Sequence, residues 1–414
     1  MRLLAAAPLL LASAPAALAQ NANALGQLVQ ALTSSGHTRL ASLAAQLNST
    51  AGGQSVISQL SSGNPLVLFA PTDSAFDSAP SNITSNADLL ADVVAYHVVQ
   101  GNFTGTSTTY TNTTVGRTLL SDPKFVQLEG NKSQVLAWAI REDGKVHVLN
   151  QRNDSTVLNT TTAGNITINT VDHVLNIPES LSATIPADNI SLTGVEDAIR
   201  SVQLPSNGGS ASLFDILNST LHGFTFFAPN TSAIQDAQSQ LQNLQSNTTA
   251  LQALFQNHII NGTTVYSPEL AGQNFTSAAG EPLSFVLNGT GHFVTSGNFT
   301  AQIIQPDVLL PNGVIHVIDR VLVNTDVDTG AASSAVSSAS SAATQSTSAT
   351  APIGYSATAT LAGPSGSTQS SSSSGSSGGK NAAIGGYLMP SMGQVVSVGV
   401  AVLGVVAGGS LVLA

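Results

Sequence analysis

The stretch "LVLFAPTDSAF" runs from Leu66 to Phe76, and "FTFFAPNTSAI" repeats it from Phe224 to Ile234. Phe69-Ala70-Pro71 recurs as Phe227-Ala228-Pro229, an offset of 227 − 69 = 158 residues. Ala75-Phe76 recurs as Ala233-Ile234 at the same offset. In the first copy, Leu66 to Phe69 read as a β-rich core strand. Pro71 ends the ladder because it has no N–H. Thr72 or Asp73 can cap the helix that follows, and Phe76 returns to the core. A strand, turn and helix written twice constrain this chain to two copies of one domain.

Helical stripes agree. In "LLADVVAYHVV", Leu90, Val93, Val94, His97 and Val98 fall at i, i+3, i+4, i+7 and i+8. In "LQALFQNHII", Leu251, Leu254, Phe255, His258 and Ile259 fall at the same steps. That spacing is one face of a helix. Each copy then closes with a strand-like run, "ITINTVDHVLN" from Ile166 and "VIHVIDRVLVN" from Val314. Asp172 matches Asp319 at an offset of 319 − 172 = 147, so the first copy is longer in its second half. Leu25, Leu28, Val29 and Leu32 predict an opening helix that Gly36 can end. Leu213, Ile216, Leu217 and Leu221 predict its counterpart. Asp143-Gly144 and Asn288-Gly289 sit between strand-like runs, the signal of a hairpin. Each copy therefore reads as helices, a strand, more helices and several antiparallel strands, which is α+β. Between the copies, "LNIPESLSATIPADNISL" from Leu175 to Leu192 has two prolines and no period. It predicts a short connection between separately cored domains.

Composition limits the chemistry. The net charge is -11, with only 8% of residues charged, which argues against nucleic acid. Cysteine is absent, which removes disulfides, thiolate nucleophiles and cysteine metal sites. The ends read as addresses. "MRLLAAAPLLLASAPAALAQ" predicts a signal peptide over residues 1–19, with Ala17 and Ala19 preceding cleavage and Gln20 opening the mature chain. An apolar run from Val395 to Ala414, a spacer and "NAA" at Asn381 predict a GPI-anchor signal. The lipid would attach at Asn381, and residues 382–414 would be removed. A transmembrane helix is the rival reading of the same tail. From 326 to 380 the Ser/Thr/Ala-rich sequence lacks aliphatic periodicity and reads as a disordered, O-glycosylated stalk.

Secretion gives meaning to sixteen Asn-x-Ser/Thr triplets. They begin at Asn48, Asn82, Asn102, Asn112, Asn131, Asn153, Asn159 and Asn165. The others begin at Asn189, Asn218, Asn230, Asn247, Asn261, Asn274, Asn288 and Asn298. Many are expected to be exposed and glycosylated.

"LFAPTDSAF", then "YH" at Tyr96-His97, then "PNGVIHVIDRVL" in the second copy resemble the fasciclin I family. The resemblance spans Asn23 to Asn324, as domains at 23–178 and 192–324. The first copy departs from it with "NITINTVDH" in place of "NGVIH", and the second has Asn257-His258 where the first has Tyr96-His97. The resemblance implies two tandem domains, each a compact wedge of β-sheet flanked by helices. It also implies extracellular adhesion modules, often in tandem and GPI-anchored. The stalk, poor in Pro, points to a fungal rather than a plant member.

No motif predicts an enzyme or a cofactor. Glu142-Asp143 sits at a turn tip, there is no H-E-x-x-H, and "DVD" at Asp326–Asp328 lacks the rest of a calcium loop. "GSSGG" at Gly375–Gly379 lacks the strand and helix a nucleophile elbow needs. His97, His258 and His316 lie in apolar stripes and read as buried, hydrogen-bonded core residues. At the offset of 147, His316 corresponds to Asn169. The expected role is a non-enzymatic adhesion glycoprotein on the outer face of the plasma membrane. Its expected partner is an extracellular protein or a cell-wall glycan, and a wall component binding polysaccharide is the alternative. Pro306-Asp307-Val308 resembles the Glu-Pro-Asp-Ile-Met stretch linked to integrin contact in vertebrate matrix members, with Gln305 departing from its Glu. The reading that follows is an adhesion loop with Asp307 as an exposed acceptor and Val308 or Leu309 as an apolar anchor. The competing reading is a turn shaped by Pro306 and capped by Asp307.

Overall fold

The structure, a computed structural model, describes residues 26–345 apart from 153, 188, 207 and 208, together with residues 352–354. The expected signal peptide, Gln20, Asn153, Asn381, the anchor signal and most of the expected stalk lie outside the described residues.

The first domain opens with helices over residues 26–34, Thr38–Leu47 and Ala51–Leu60. Its strands are β1 (Leu66–Pro71), β2 (Val98–Gln100), β3 (Thr114–Arg117), β4 (Val135–Ile140), β5 (Val146–Val148), β6 (Ser155–Ala163) and β7 (Ile166–Val171). They form one sheet in the order β2-β1-β7-β6-β5-β4-β3. A small ribbon of β8 (Gln203–Ser206) and β9 (Gly209–Ser212) follows. The second domain has β10 (Phe224–Pro229), β11 (Ile259–Asn261), β12 (Asn274–Thr276), β13 (Pro282–Asn288), β14 (Gly291–Ser296), β15 (Phe299–Leu310) and β16 (Gly313–Ile318). Its order, β11-β10-β16-β15-β14-β13-β12, is the first sheet strand for strand.

The repeated phrase is the buried strand of each sheet. All six residues of β1 and all six of β10 are buried. Each motif strand pairs in parallel with the closing strand, Leu66 to Pro71 against Ile166 to Val171 and Thr225 to Pro229 against Val314 to Ile318. The other strand pairs of both sheets are antiparallel. The parallel pair was not legible in the alternation, because a parallel partner arrives only after a long crossover. Pro71 is not the last bonded position. Thr72 N–H donates to Val171 O at 2.9 Å, and Asn230 N–H to Ile318 O at 2.9 Å. Thr72 then caps its helix through Ala75 N–H, and Asn230 caps through Ala233 N–H. Asp73 does not cap; its carboxylate accepts from Arg39 N–H and from the Thr38 hydroxyl.

The two stripes form the helices Ala87–His97 and Thr248–Gln256. Asn86 and Asn247 cap them. Val98 and Ile259, last in each stripe, have already left the helix as the first residues of β2 and β11. The stripe of Leu213 to Leu221 gives only one α-turn, Leu213–Asp215, running into a π-helical turn, Ile216–Thr220. In the second hairpin, Asn288 still pairs with Gly291, so the turn residues are Gly289 and Thr290.

Three expectations are corrected. The connection from Leu175 to Leu192 is not a bare linker. Leu181, Ile185, Ile190 and Leu192 are buried in the second domain's core, and Leu181–Thr184 is helical. The second core therefore starts ahead of the expected boundary at 192. Nor are the two cores wholly separate. Val115, Val135, Ala137, Ala139 and Leu149 of the first domain cluster with Tyr266, Leu309 and Val314 of the second. The segment expected to be stalk begins with a helix, Thr329–Ala343, capped by Asp328.

Ile185 is fully buried. Ile185→Ala should lower unfolding stability by about 2–5 kcal/mol, the cost of a buried aliphatic truncation. Urea unfolding of the chain measures it, and a loss near zero would return this segment to the status of a linker.

Candidate functional site

β15 carries the stretch expected to be an adhesion loop. Its pairing with β16 is irregular between Ile303 and Val308. At this irregularity Asp307 takes a positive φ of 58°. Asp and Asn tolerate that region better than most side chains do. The bulge turns the Asp307 carboxylate inward. Its Oδ1 accepts from Ser267 N–H at 2.8 Å, and its Oδ2 accepts from the hydroxyls of Ser267 at 2.5 Å and Thr113 at 2.6 Å. Thr113 belongs to the first domain. Three donors thus replace the water that a buried carboxylate loses.

The exposed-loop reading is therefore corrected. Asp307 is 0% exposed and Val308 2%, and Pro306 is also buried. Val308 packs in the second domain's core and Leu309 in the cluster shared by both domains. A carboxylate held by three protein donors beneath another domain cannot serve as an exposed acceptor. This stretch is a seam. Asn150 of the first domain donates to Pro306 O at 2.9 Å and Asp307 O at 2.7 Å, and accepts from Gln305 Nε2 at 2.8 Å. Gln305, the departure from the resemblance, is thus part of the junction.

The seam extends along both sheets. Gln134 donates to Leu310 O at 3.0 Å, and Gln127 N–H to Pro311 O at 2.7 Å. Glu129, buried in the first domain, accepts from the Thr264 hydroxyl at 2.7 Å and pairs with Lys132 at 2.9 Å. The Arg117 guanidinium lies 5.4 Å from the Tyr266 ring centre. Sequence reading did not find Thr113, Gln134, Asn150 or Ser267. Their partners lie far along the chain, and no local pattern marks a residue whose role is to meet another domain.

The histidines are held equally tightly. His97 Nδ1 donates to Val93 O at 2.7 Å, and its Nε2 accepts from Leu175 N–H at 2.9 Å. His258 repeats this with Leu254 O at 2.8 Å and Leu322 N–H at 3.0 Å. Each ring ties the end of its helix to the chain just past its closing strand. Burial pushes both down to about 4, against the backbone carbonyl bond that favours the charged form. His316 Nδ1 accepts from Asp307 N–H at 3.3 Å, and its Nε2 donates to Val265 O at 2.9 Å. Its ring stacks on Phe227, and the same register position in the first sheet pairs Phe69 with Asn169. Burial lowers its pKa, with the Asp307 charge opposing. All three rings have both nitrogens committed, so none is free to move a proton for a substrate. His37, not singled out from sequence, bonds Pro71 O at 3.0 Å and Thr170 Oγ1 at 3.1 Å.

Asn257, at the place of Tyr96 in the first copy, donates to Asn324 O and Asp326 O and accepts from Ser277. Of the fifteen described glycosylation triplets, twelve have an exposed asparagine. Asn218, Asn230 and Asn261 are partly buried. Glu142-Asp143 lies at the exposed tip of the β4–β5 turn, where Asp143 accepts from Lys145 N–H and meets His147. Among the described residues no group of three His, Asp or Glu could hold a metal ion, and no helix is long and apolar enough to cross a membrane.

The family profile described as "Fasciclin domain" matches residues 35–178 and 203–324. A curated relative, a fasciclin-like arabinogalactan protein of Arthroderma benhamiae, is 27% identical over 299 residues. The match covers 70% of this chain and 65% of the relative, so the chain spans less than two thirds of that relative's length. Among solved structures, a fasciclin domain pair from the insect cell adhesion molecule Fasciclin I aligns over 66% of this chain and 93% of its own, with 17% identity and a TM-score of 0.34.

Two outcomes are expected here. Asp307→Ala strips three buried donors of their acceptor and should cost about 3 kcal/mol or more. Asp307→Asn, which keeps one acceptor, should cost less. Thermal melts of both variants read the order, and a melt unchanged in Asp307→Ala would remove the carboxylate from the seam. The second outcome is a pH dependence. The unfolded histidines titrate near 6.5 and the folded ones near 4, so the unfolded state binds more protons between these values. Stability is therefore full above about pH 6.5 and falls as pH drops toward 4, by about 3 kcal/mol for each ring. His258→Gln should flatten half of that slope in urea unfolding across the range.

Proposed function

The chain belongs to the fasciclin domain family, and on that premise we propose that it is a non-enzymatic adhesion glycoprotein of the cell surface. The observation that carries this reading is the seam. Two domains joined by buried hydrogen bonds and a shared apolar cluster make one body, and the asparagines of most described glycosylation triplets are exposed on it. Such a body displays surface; it does not need to turn over a substrate. A GPI lipid at Asn381 would hold many copies on one membrane, where weak contacts sum to avidity. The partner would be an extracellular protein. The fungal relative supports a wall-bearing setting for the surface.

The second reading is a cell-wall component that binds polysaccharide. Sugar platforms use exposed aromatic rings, and among the described residues the large exposed aromatics are Tyr110 and Phe299. That favours the protein partner.

Cells displaying the chain should adhere to one another or to a protein-coated surface several-fold more than cells lacking it. Phosphatidylinositol-specific phospholipase should release both the protein and the adhesion. Adhesion that survives release, or binding confined to a polysaccharide array, would favour the wall component instead.

A further inference from the structure

The chain does not leave the second domain at Asn324. Asp328 N–H donates to Ala279 O at 2.8 Å, and Asp328 caps the helix Thr329–Ala343. This helix reaches the first domain. A Cβ on Gly130, which has φ +65°, would lie 2.1 Å from Ala343 O, so the backbones approach as only glycine permits. Further on, Ile353 N–H donates to Val115 O at 2.9 Å, at an edge strand of the first sheet. Its side chain packs on the cluster shared by both domains. Gly354, at φ +77°, lies against Pro268 of the second domain, and a Cβ there would meet Pro268 O at 2.6 Å. Pro352, Ile353 and Gly354 lie in an interdomain cleft whose other sides include Thr106, Thr113 and Thr114 of the first domain and Leu287 and His292 of the second, and about 190 Å³ stays open beside them.

We propose that this interdomain cleft is a binding site for an extended Pro-apolar-Gly peptide, occupied by the chain's own Pro352-Ile353-Gly354, and that the helix Thr329–Ala343 and this tripeptide together clasp the two domains. Each position has its reason. Val115 offers a strand-edge carbonyl to the peptide N–H, which is how an added strand is recognised. The apolar residue enters a cluster that neither domain closes alone. Glycine is required next, where the backbone meets Pro268. Covalent linkage gives the segment an effective concentration of about millimolar order, so a weak peptide site suffices to hold it.

The test uses the full chain. Amide exchange read by mass spectrometry should show the Ile353 amide slowed at least tenfold against an unstructured peptide of the same sequence; exchange at the unstructured rate overturns the proposal. Ile353→Asp should empty the groove while the melting midpoint stays within a few degrees. A synthetic peptide of residues 350–356, at millimolar concentration, should then show saturation-transfer NMR signal to its Ile methyls with the Ile353→Asp chain. With the wild-type chain the signal should be at least fivefold weaker. The same peptide carrying Gly354→Ala should give none. Equal signal with both chains, or none with Ile353→Asp, overturns the groove as a peptide site. Should Ile353→Asp fail to fold, the exchange measurement on the unmodified chain still decides.

Discussion

Each domain depends on one pairing, the motif strand lying parallel to the strand that closes the domain. Leu66 to Pro71 against Ile166 to Val171, and Thr225 to Pro229 against Val314 to Ile318, bring the early and late parts of each copy side by side. A parallel pair forces everything between its strands into a crossover. Here the crossover contains the striped helix and the antiparallel strands that fill the rest of the sheet. The histidine at the end of that helix ties the crossover back to the chain beyond the closing strand, in both copies and with the same two backbone groups. Asp172 and Asp319 repeat a second tie, each accepting from a backbone N–H of the neighbouring strand at 2.8 Å.

The seam between the domains follows different physics. A wholly apolar junction would hold two sheets together without fixing their register. Asp307, Asn150 and Gln134 each demand particular donors or acceptors on the other domain. A misaligned junction would leave them buried and unpaired, at a cost of about 1–3 kcal/mol for each group. The polar pairs therefore select one arrangement, while Tyr266, Leu309 and the valines beside them contribute the burial that favours association.

Local patterns carried much of the fold into the sequence. The repeated phrase marked β1 and β10, the stripes marked the two long core helices, and Asp143-Gly144 marked a hairpin turn. The histidines in apolar stripes are buried, with both ring nitrogens bonded. What was illegible was long-range. Ser267 and Thr113 look like ordinary loop polar residues until a second domain presents Asp307 to them. Leu181 and Ile185 sit between prolines without a period, because a segment packed by irregular backbone has none to show. Asp307 misled because its sequence surroundings suggest a turn, and a turn is usually at the surface. A shared junction is the place where that inference fails. The Ala/Ser helix Thr329–Ala343 misled in the opposite sense. It buries no residue of its own, so its composition matches that of an unstructured segment.

The course of the chain after Asn324 has a mechanical consequence. A pull from the C-terminal side does not reach β16 first. It meets the Ile353 N–H hydrogen bond to Val115, then the Ala/Ser helix, then the Asn257 amide that grips Asn324 and Asp326. These contacts lie in series and can open one after another, as in peeling, whereas the parallel strand pair behind them would have to shear as a whole. Once the Ile353 hydrogen bond and the helix have opened, residues 328–354 would span up to about 90 Å when fully extended before β16 carried the load. The region that reads in the sequence as the start of an inert spacer is thus placed to act as an extensible link, lengthening under load while both folded bodies stay intact.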